Sequence, residues 1–346
     1  MNNDDDKTPS VLQFVDIGAN LLDDRYIRGE YHGKQRHEPD FEQVLERAST
    51  NGVTHLILTA GTLNESQRAV QVVRDWREKQ QRQQQQESLP LFLGCTVGVH
   101  PTRCQQEFVD NDGADPDRVL EELLQIVQDG VTDGCVVAIG EIGLDYDRLE
   151  FSPKDVQHEF LKRQLETFLG AASPQVASLP LFLHNRSVGG DLLNVLQNFM
   201  NSHNNATKLR GVVHSFDDTL ELAQEFIGMG FYIGLNGCSL KTPENLEVVR
   251  ELPLSSILLE TDCPYCEIKA THAGFPFIKT TFEKKAEKKF IMGQLVKGRN
   301  EPCQIVQVAE VIAGAKGGIP VQQVAKACYK NSMELYGFSP NQCPNH

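Results

Sequence analysis

The sequence predicts an α/β protein in which eight parallel strands and their helices close into one (β/α)8 barrel. Three observations predict it. Short apolar runs rich in Val, Ile and Leu recur along the chain, helical patterns lie between most of them, and no linker or fixed-period repeat divides the 346 residues. Strand and helix in alternation build a parallel sheet with helices outside it, and eight rounds imply closure rather than an open sheet. Barrels routinely exceed the usual domain size, so one domain accommodates residues 11–338. The polar, acidic start (1–10) is expected to be disordered and 339–346 to form a C-terminal tail.

The first strand is expected over 11–20, and an insertion at 23–39 separates it from a helical pattern at 42–49. The second (55–60, His-Leu-Ile-Leu-Thr-Ala) leads into a helix at 65–79. Beyond it, Lys79-Gln-Gln-Arg-Gln-Gln-Gln-Gln-Glu87 is low in complexity; it extends the helix or forms a solvated loop and is assigned no function. The third strand, 91–100, precedes a helix at 116–128, and the fourth, 136–141, precedes one at 153–170. The fifth, sixth and seventh strands, at 179–184, 211–214 and 231–235, precede helices at 191–200, 219–228 and 243–250. The eighth, 256–260, is followed by an insertion at 271–299 and by two helical patterns within 301–338 that close the barrel. Apolar runs this short read as strands buried on both faces. The two long insertions fall on the C-terminal face of the barrel, where loops shape active sites.

Hydrophobic residues make up 40% of the chain, enough for a sizeable core. The formal net charge of −14 repels polyanions and argues against an extended basic cradle for nucleic acid. A nuclease stays open, because metal ions and a few local Arg or Lys can make the phosphate contacts. No apolar run approaches the roughly 20 residues of a membrane span, and the first ten residues lack a signal-peptide core. The protein is therefore expected to be intracellular, in nucleus or cytoplasm, without a membrane partner. Nine cysteines spread over the chain suit reduced thiols better than a disulfide framework.

Four apolar runs end in residues that can hold a divalent metal: Val136-Val-Ala-Ile-Gly-Glu141, Leu181-Phe-Leu-His184, Gly211-Val-Val-His214 and Ile257-Leu-Leu-Glu-Thr-Asp262. A Glu, two His and an Asp where strands stop is the pattern of a metal site at one end of a parallel barrel. Glu141 can bridge two ions roughly 3.5–4 Å apart; its alternative is a salt bridge to a neighbouring loop. His184 and His214 are ligands or hydrogen-bonded core imidazoles, and their place on successive strand ends favours ligands. Arg186 suits a phosphate because its planar fork binds two oxygens, with a structural ion pair as the alternative. Asp262 can ligate an ion, take a proton from attacking water, or both, and Glu260 points the same way by strand alternation and supports the ligands from behind. His100 protonates a leaving oxygen, touches the phosphate, or merely stacks on Pro101. Cys263-Pro-Tyr-Cys266 has redox spacing, but it comes late in a chain far too long for a glutaredoxin-like fold.

These segments resemble the TatD family of metal-dependent deoxyribonucleases. The matching stretches are Phe14-Val-Asp-Ile-Gly-Ala-Asn-Leu21, Gly98-Val-His-Pro101, Ala138-Ile-Gly-Glu-Ile-Gly-Leu-Asp145, Phe182-Leu-His-Asn-Arg186, Val213-His-Ser-Phe216, Leu259-Glu-Thr-Asp-Cys-Pro264, Arg299-Asn-Glu-Pro302 and Asn331-Ser-Met-Glu-Leu-Tyr-Gly337. Phe231-Tyr-Ile-Gly-Leu-Asn-Gly-Cys-Ser-Leu-Lys241, with Thr271-His-Ala-Gly274, is most similar to the eukaryotic TatD-like branch. The resemblance implies a distorted TIM barrel of the amidohydrolase type, one or two divalent ions, and hydrolysis of single- or double-stranded DNA. It implies Glu141 as a shared ligand, His184 and His214 as ligands to one ion and Asp262 to the other, with Arg186 and His100 facing the substrate and Arg299 also arguing for phosphate. Many members carry His-x-His at the end of the first strand, where this chain has Gly18 and Asn20. One ion is then held more weakly, with Asp16 or Asn20 as an additional ligand or a support behind the ligands and water filling the gaps, which favours Mg²⁺ over tightly bound Zn²⁺ and leaves Mn²⁺ or Zn²⁺ as alternatives. Asn185 stands where related sequences often have Cys. Nuclear residence rests on the resemblance alone, since Lys284-Lys-Ala-Glu-Lys-Lys289 is too short and interrupted for a localisation cluster, and no protein partner is inferable. Two competitors are a hydrolase of small amides or esters on the same barrel and a non-hydrolytic thiol protein using Cys263 and Cys266.

Overall fold

Eight strands follow one another around a single sheet in chain order, every neighbouring pair parallel, in a computed structural model that describes residues 12–83, 91–110, 115–170, 173–203 and 209–339. They are β1 (Phe14–Ala19), β2 (Val53–Leu58), β3 (Phe92–Val97), β4 (Val136–Asp145), β5 (Leu181–Arg186), β6 (Gly211–His214), β7 (Phe231–Leu235) and β8 (Ile257–Leu259). The sheet closes between its ends: the Asp262 amide donates to the Gly18 carbonyl at 2.8 Å and the Asn20 amide to the Cys263 carbonyl at 2.7 Å. Register shifts interrupt the β1–β2, β3–β4 and β4–β5 pairings, so the expected (β/α)8 barrel forms in a distorted version.

The alternation of side chains along each strand separates an interior from an outer layer. Val15, Ile17, Ile57, Val137, Phe182, Val212 and Leu258 pack together from six strands around the barrel, joined by Phe92 and Tyr232 from the other two. Leu335 and Phe338 join that cluster from the end of the last helix, Val321–Tyr336. A plug of this kind makes the interior a core rather than a pore.

The helices follow the expected order. Pro116–Thr132 starts with Pro at its first position and an Asp115 side chain accepting from the Asp117 amide, while Pro243–Glu251 opens on a Thr242/Asn245 capping box. Each device satisfies amides that the first helical turn leaves without a partner. The first insertion holds the short helix Asp24–Ile27 and a small ribbon, Glu30–Tyr31 with Lys34–Gln35. The later one holds the pair Lys284–Lys285 and Leu295–Val296. The helix Leu63–Gln83 extends into the low-complexity stretch, as one of the two expectations had it. The expectations for residues 1–10, 84–87 and 340–346 fall outside the described residues. No described helix is long and apolar enough to cross a membrane.

Candidate metal centre

The middle of β4 and the C-terminal halves of β5 and β6 bring a carboxylate and two imidazoles to one point. Because β5 and β6 are parallel and in register, His184 lies beside His214, and both face Glu141. One oxygen of Glu141, Oε1, lies 2.7 Å from His184 Nδ1 and 2.7 Å from His214 Nε2. His100, in the turn after β3, brings its Nε2 to 3.3 Å from the same oxygen. His100, Glu141 and His184 offer three donor atoms within 4.8 Å of one another.

Both strand-end imidazoles are backed by a second carboxylate. His184 Nε2 lies 3.0 Å from Asp145 Oδ2, and His214 Nδ1 lies 3.6 Å from Glu260 Oε2. The hydrogen-bonded Asp145 fixes the tautomer of His184 and raises the basicity of its other nitrogen, the usual setting of a metal-ligating histidine, whereas Glu260 faces His214 without a hydrogen bond. Glu260 is fully buried and is aimed by hydrogen bonds from the Ser215 amide (2.5 Å) and Asn236 Nδ2 (3.0 Å). Glu260 lies at the nitrogen of His214 that faces away from Glu141.

The electrostatics match a site built for positive charge. Burial opposes ionisation of Glu141, yet His214 and His100 beside it hold its carboxyl well below the usual range. Burial opposes charge on His214 too, but Glu141 and Glu260 raise it well above an ordinary imidazole. The mixed nitrogen and oxygen donors of the cluster are of the type that holds a divalent ion.

Asp262, just past β8, lines the same pocket as Glu141, His184 and His214. Asn20 Nδ2 donates to its Oδ1 at 2.8 Å, and Thr59 Oγ1 fixes Asn20 in turn at 2.6 Å. Burial first, then the nearby Glu260 and Glu141, push the Asp262 carboxyl up to about 6 against the pull of His214. Ser187, Ser215 and Asp262 all take left-handed φ near +50° immediately after or near site residues. Non-glycine residues in that region cluster where a site over-determines its backbone.

A cavity of about 480 Å³ opens above these groups. Arg186, Arg148 and Arg103 line it with Tyr265 at its edge. The Nε of Arg186 is buried without a hydrogen-bond partner, and among the described residues its guanidinium makes no ion pair within 4.0 Å, although Asp217 is near enough to favour its charge. A second cavity, of about 550 Å³, lies toward the opposite end beside Phe92, Val137 and Phe338; its Arg77 and Arg210 donate to backbone carbonyls.

One expectation is corrected here. Arg299 does not reach the pocket: it is fully buried, binds Asp40 through two 2.6 Å hydrogen bonds, and binds Glu301 at 2.7 Å. Its guanidinium also lies over Tyr26, 4.7 Å from the ring centre. Asp16 is likewise fully buried and absent from the pocket wall; it accepts from the Thr261 amide (2.9 Å) and Thr261 Oγ1 (2.6 Å), tying β1 to β8. A Cβ at Gly18 would lie 3.0 Å from Phe182 Cζ and 3.1 Å from Glu260 Oε2, so a side chain there asks both neighbours to shift by a few tenths of an ångström.

Burial raises the Asp16 carboxyl from 3.8 to about 7, against hydrogen bonds from Thr261 and Gly18. The folded chain then keeps a proton that the unfolded chain has lost, so this group lowers stability as pH rises from 3.8 toward 7. Asp16→Asn is expected to flatten that slope. Urea midpoints at about pH 5 and about pH 8 test it, and an unchanged difference between them refutes the assignment.

Sequence reasoning missed Asp145, Arg148, Arg103 and Cys238. Asp145 was accessible to it, since Glu141, Gly143 and Asp145 share a face of one strand. The Cys-x-x-Cys pair does not form: Cys263 is fully buried, burial pushes its thiol well above the usual value, and Cys266 faces Cys238 instead.

A family model described as TatD related DNase matches residues 15–337. A curated relative, deoxyribonuclease Tat-D of Schizosaccharomyces pombe, is 37% identical over 326 residues, 94% of this chain and 96% of that protein. Among solved structures, a hydrolase TatD family protein from Entamoeba histolytica superposes with a TM-score of 0.79 at 36% identity, over 94% of this chain and 98% of that one. An uncharacterized amidohydrolase from Saccharomyces cerevisiae superposes with a TM-score of 0.82 at 31% identity, over 94% and 99%.

Proposed function

Because this chain belongs to the TatD related DNase family, we propose that it is a divalent-metal-dependent deoxyribonuclease whose ions sit on Glu141, His184, His214 and Asp262. The observation that carries the reading is the convergence of three imidazoles on one carboxylate oxygen beneath a pocket lined by three arginines. Bound divalent ions supply a Lewis acid for a phosphate oxygen and an acidified water as nucleophile. Mg²⁺ is the expected ion, with Mn²⁺ or Zn²⁺ able to replace it.

The chain's own residues take the remaining roles. Arg186 grips the phosphate, since its buried Nε has no protein partner and phosphate oxygens match its fork. Asp262 takes the proton of the attacking water, since it lines the pocket with Glu141 and Asn20 holds its Oδ1 in place. His100 contacts the phosphate rather than protonating the leaving oxygen. The Thr102 amide donates to its Nδ1 at 3.2 Å, which leaves the proton on Nε2, facing the site, and burial holds the ring below its ordinary pKa. DNA of either strandedness is the substrate class.

End-labelled single- and double-stranded DNA incubated with the purified protein and Mg²⁺ tests this. Cleavage that EDTA abolishes is the expected result. Arg186→Ala is expected to lower kcat/KM about 10- to 100-fold, the worth of a charged hydrogen bond. No cleavage with any common divalent ion, together with turnover of amide or ester substrates, overturns the nuclease reading in favour of a small-molecule hydrolase.

A further inference from the structure

Cys238, in the turn after β7, and Cys266, four residues beyond Asp262, are 28 positions apart, yet their Sγ atoms lie 2.7 Å from one another. That is less than an ångström beyond a covalent S–S bond of about 2.05 Å. The remaining described cysteines, 95, 104, 135, 263, 303 and 328, are all buried, whereas these two are partly exposed and line the catalytic pocket. Small solutes that enter the pocket therefore reach this thiol pair and no other described one.

The backbone holds the pair in place. A Cβ on Gly237 lies only 1.9 Å from the Cys266 carbonyl oxygen, so only glycine allows the β7 turn to approach the β8 loop this closely. The Cys238 amide donates to Asn236 Oδ1 at 2.8 Å, and Asn236 is itself tied to Glu260. Cys266 sits in the left-handed region, at φ 51°. Closing a bond between the sulfurs then asks little of the chain.

The pair also touches the chemistry: the Cys266 thiol donates to Asp262 Oδ2 at 3.2 Å. We infer that Cys238 and Cys266 are an oxidative modification site, forming a reversible intramolecular disulfide that lowers the activity of the adjacent centre. The oxidant is a small hydroperoxide. One sulfur takes the terminal oxygen, becoming a sulfenic acid and releasing the alcohol, or water from hydrogen peroxide. The other sulfur attacks it, the S–S bond forms, and the thiol proton leaves with the hydroxyl as water. Asp262 then loses its sulfur donor and keeps Asn20, and the Cys266 sulfur moves toward Cys238 and away from the carboxylate.

Two readouts separate the parts of this inference; the activity readout rests on the nuclease reading and the chemical one does not. The full-length protein is treated with hydrogen peroxide and its peptides are mapped by mass spectrometry without reduction. A Cys238–Cys266 cross-link, two hydrogens lighter than the separate peptides and reversed by dithiothreitol, is expected. Cross-links from Cys266 to Cys263 or Cys343, dimers between chains, or no cross-link overturn the site. DNA cleavage by the oxidised protein is expected to fall about tenfold, the scale of losing one hydrogen bond to a charged group, and to recover on reduction. In Cys238→Ser the ratio of activities with and without peroxide is expected to return to one. A mapped disulfide with unchanged cleavage overturns the control of activity alone. A parent that cuts no DNA fails the nuclease reading, while the map still decides the site.

Discussion

Glu141→Ala is expected to lower kcat/KM for DNA by about a thousandfold or more, a loss of about 4 kcal/mol of transition-state stabilisation. The reason is geometric. The Oε1 atom is the one point that all three imidazoles face, so no neighbour can substitute for it. Glu141→Gln keeps the shape and removes the charge, and it is expected to lose nearly as much. Calorimetric titration with Mn²⁺ supplies a readout independent of turnover, with weaker binding expected in both variants. The fold should survive, because without Glu141 the imidazoles can release their protons and His214 keeps Glu260 beside it. Cleavage within a few-fold of the parent sinks the assignment of this carboxylate.

Arg299→Ala is expected to have the largest effect on stability, about 3–5 kcal/mol, for the opposite reason. The arginine is the buried partner of two carboxylates, and its loss leaves Asp40 and Glu301 short of positive charge, with Arg47 alone still reaching both. Urea unfolding followed by circular dichroism measures the loss. Arg299→Lys is expected to recover only part of it, since one ammonium cannot reproduce two parallel hydrogen bonds to Asp40. A phosphate contact predicts the reverse pattern: normal stability and a raised KM.

Much of the architecture is legible in the chain because strands buried on both faces leave uninterrupted apolar runs. Gly211–His214 and Phe231–Leu235 match their expected limits at both ends. β4 does not. Its expected end, Glu141, falls in mid-strand, because Gly140, Glu141 and Gly143 break the apolar run while the backbone continues to Asp145. That early stop concealed the carboxylate behind His184. The ligand candidates were legible for the same reason the strands were, as polar residues at the edge of apolar runs. Arg299 was misread because residue type and a shared motif cannot reveal a partner 259 positions away. Cys263 and Cys266 have a redox spacing that the length of the chain argues against, but no local pattern reveals that the neighbour of Cys266 in space comes from the preceding strand's turn.

The bond between Asp16 and Thr261 also sets a timetable for the chain's synthesis. The two residues are 245 positions apart. At about 5–20 residues per second, a ribosome needs about 12–50 s to deliver the second after the first. Throughout that interval β1 can pair with β2 on one side, while its other edge, which Asn20 and Gly18 later close through Cys263 and Asp262, stays open. A nascent strand with an unpaired edge and an unsatisfied acid is prone to pair with other chains. The N-terminal quarter of this protein is therefore the segment that most needs shielding before the last strand arrives.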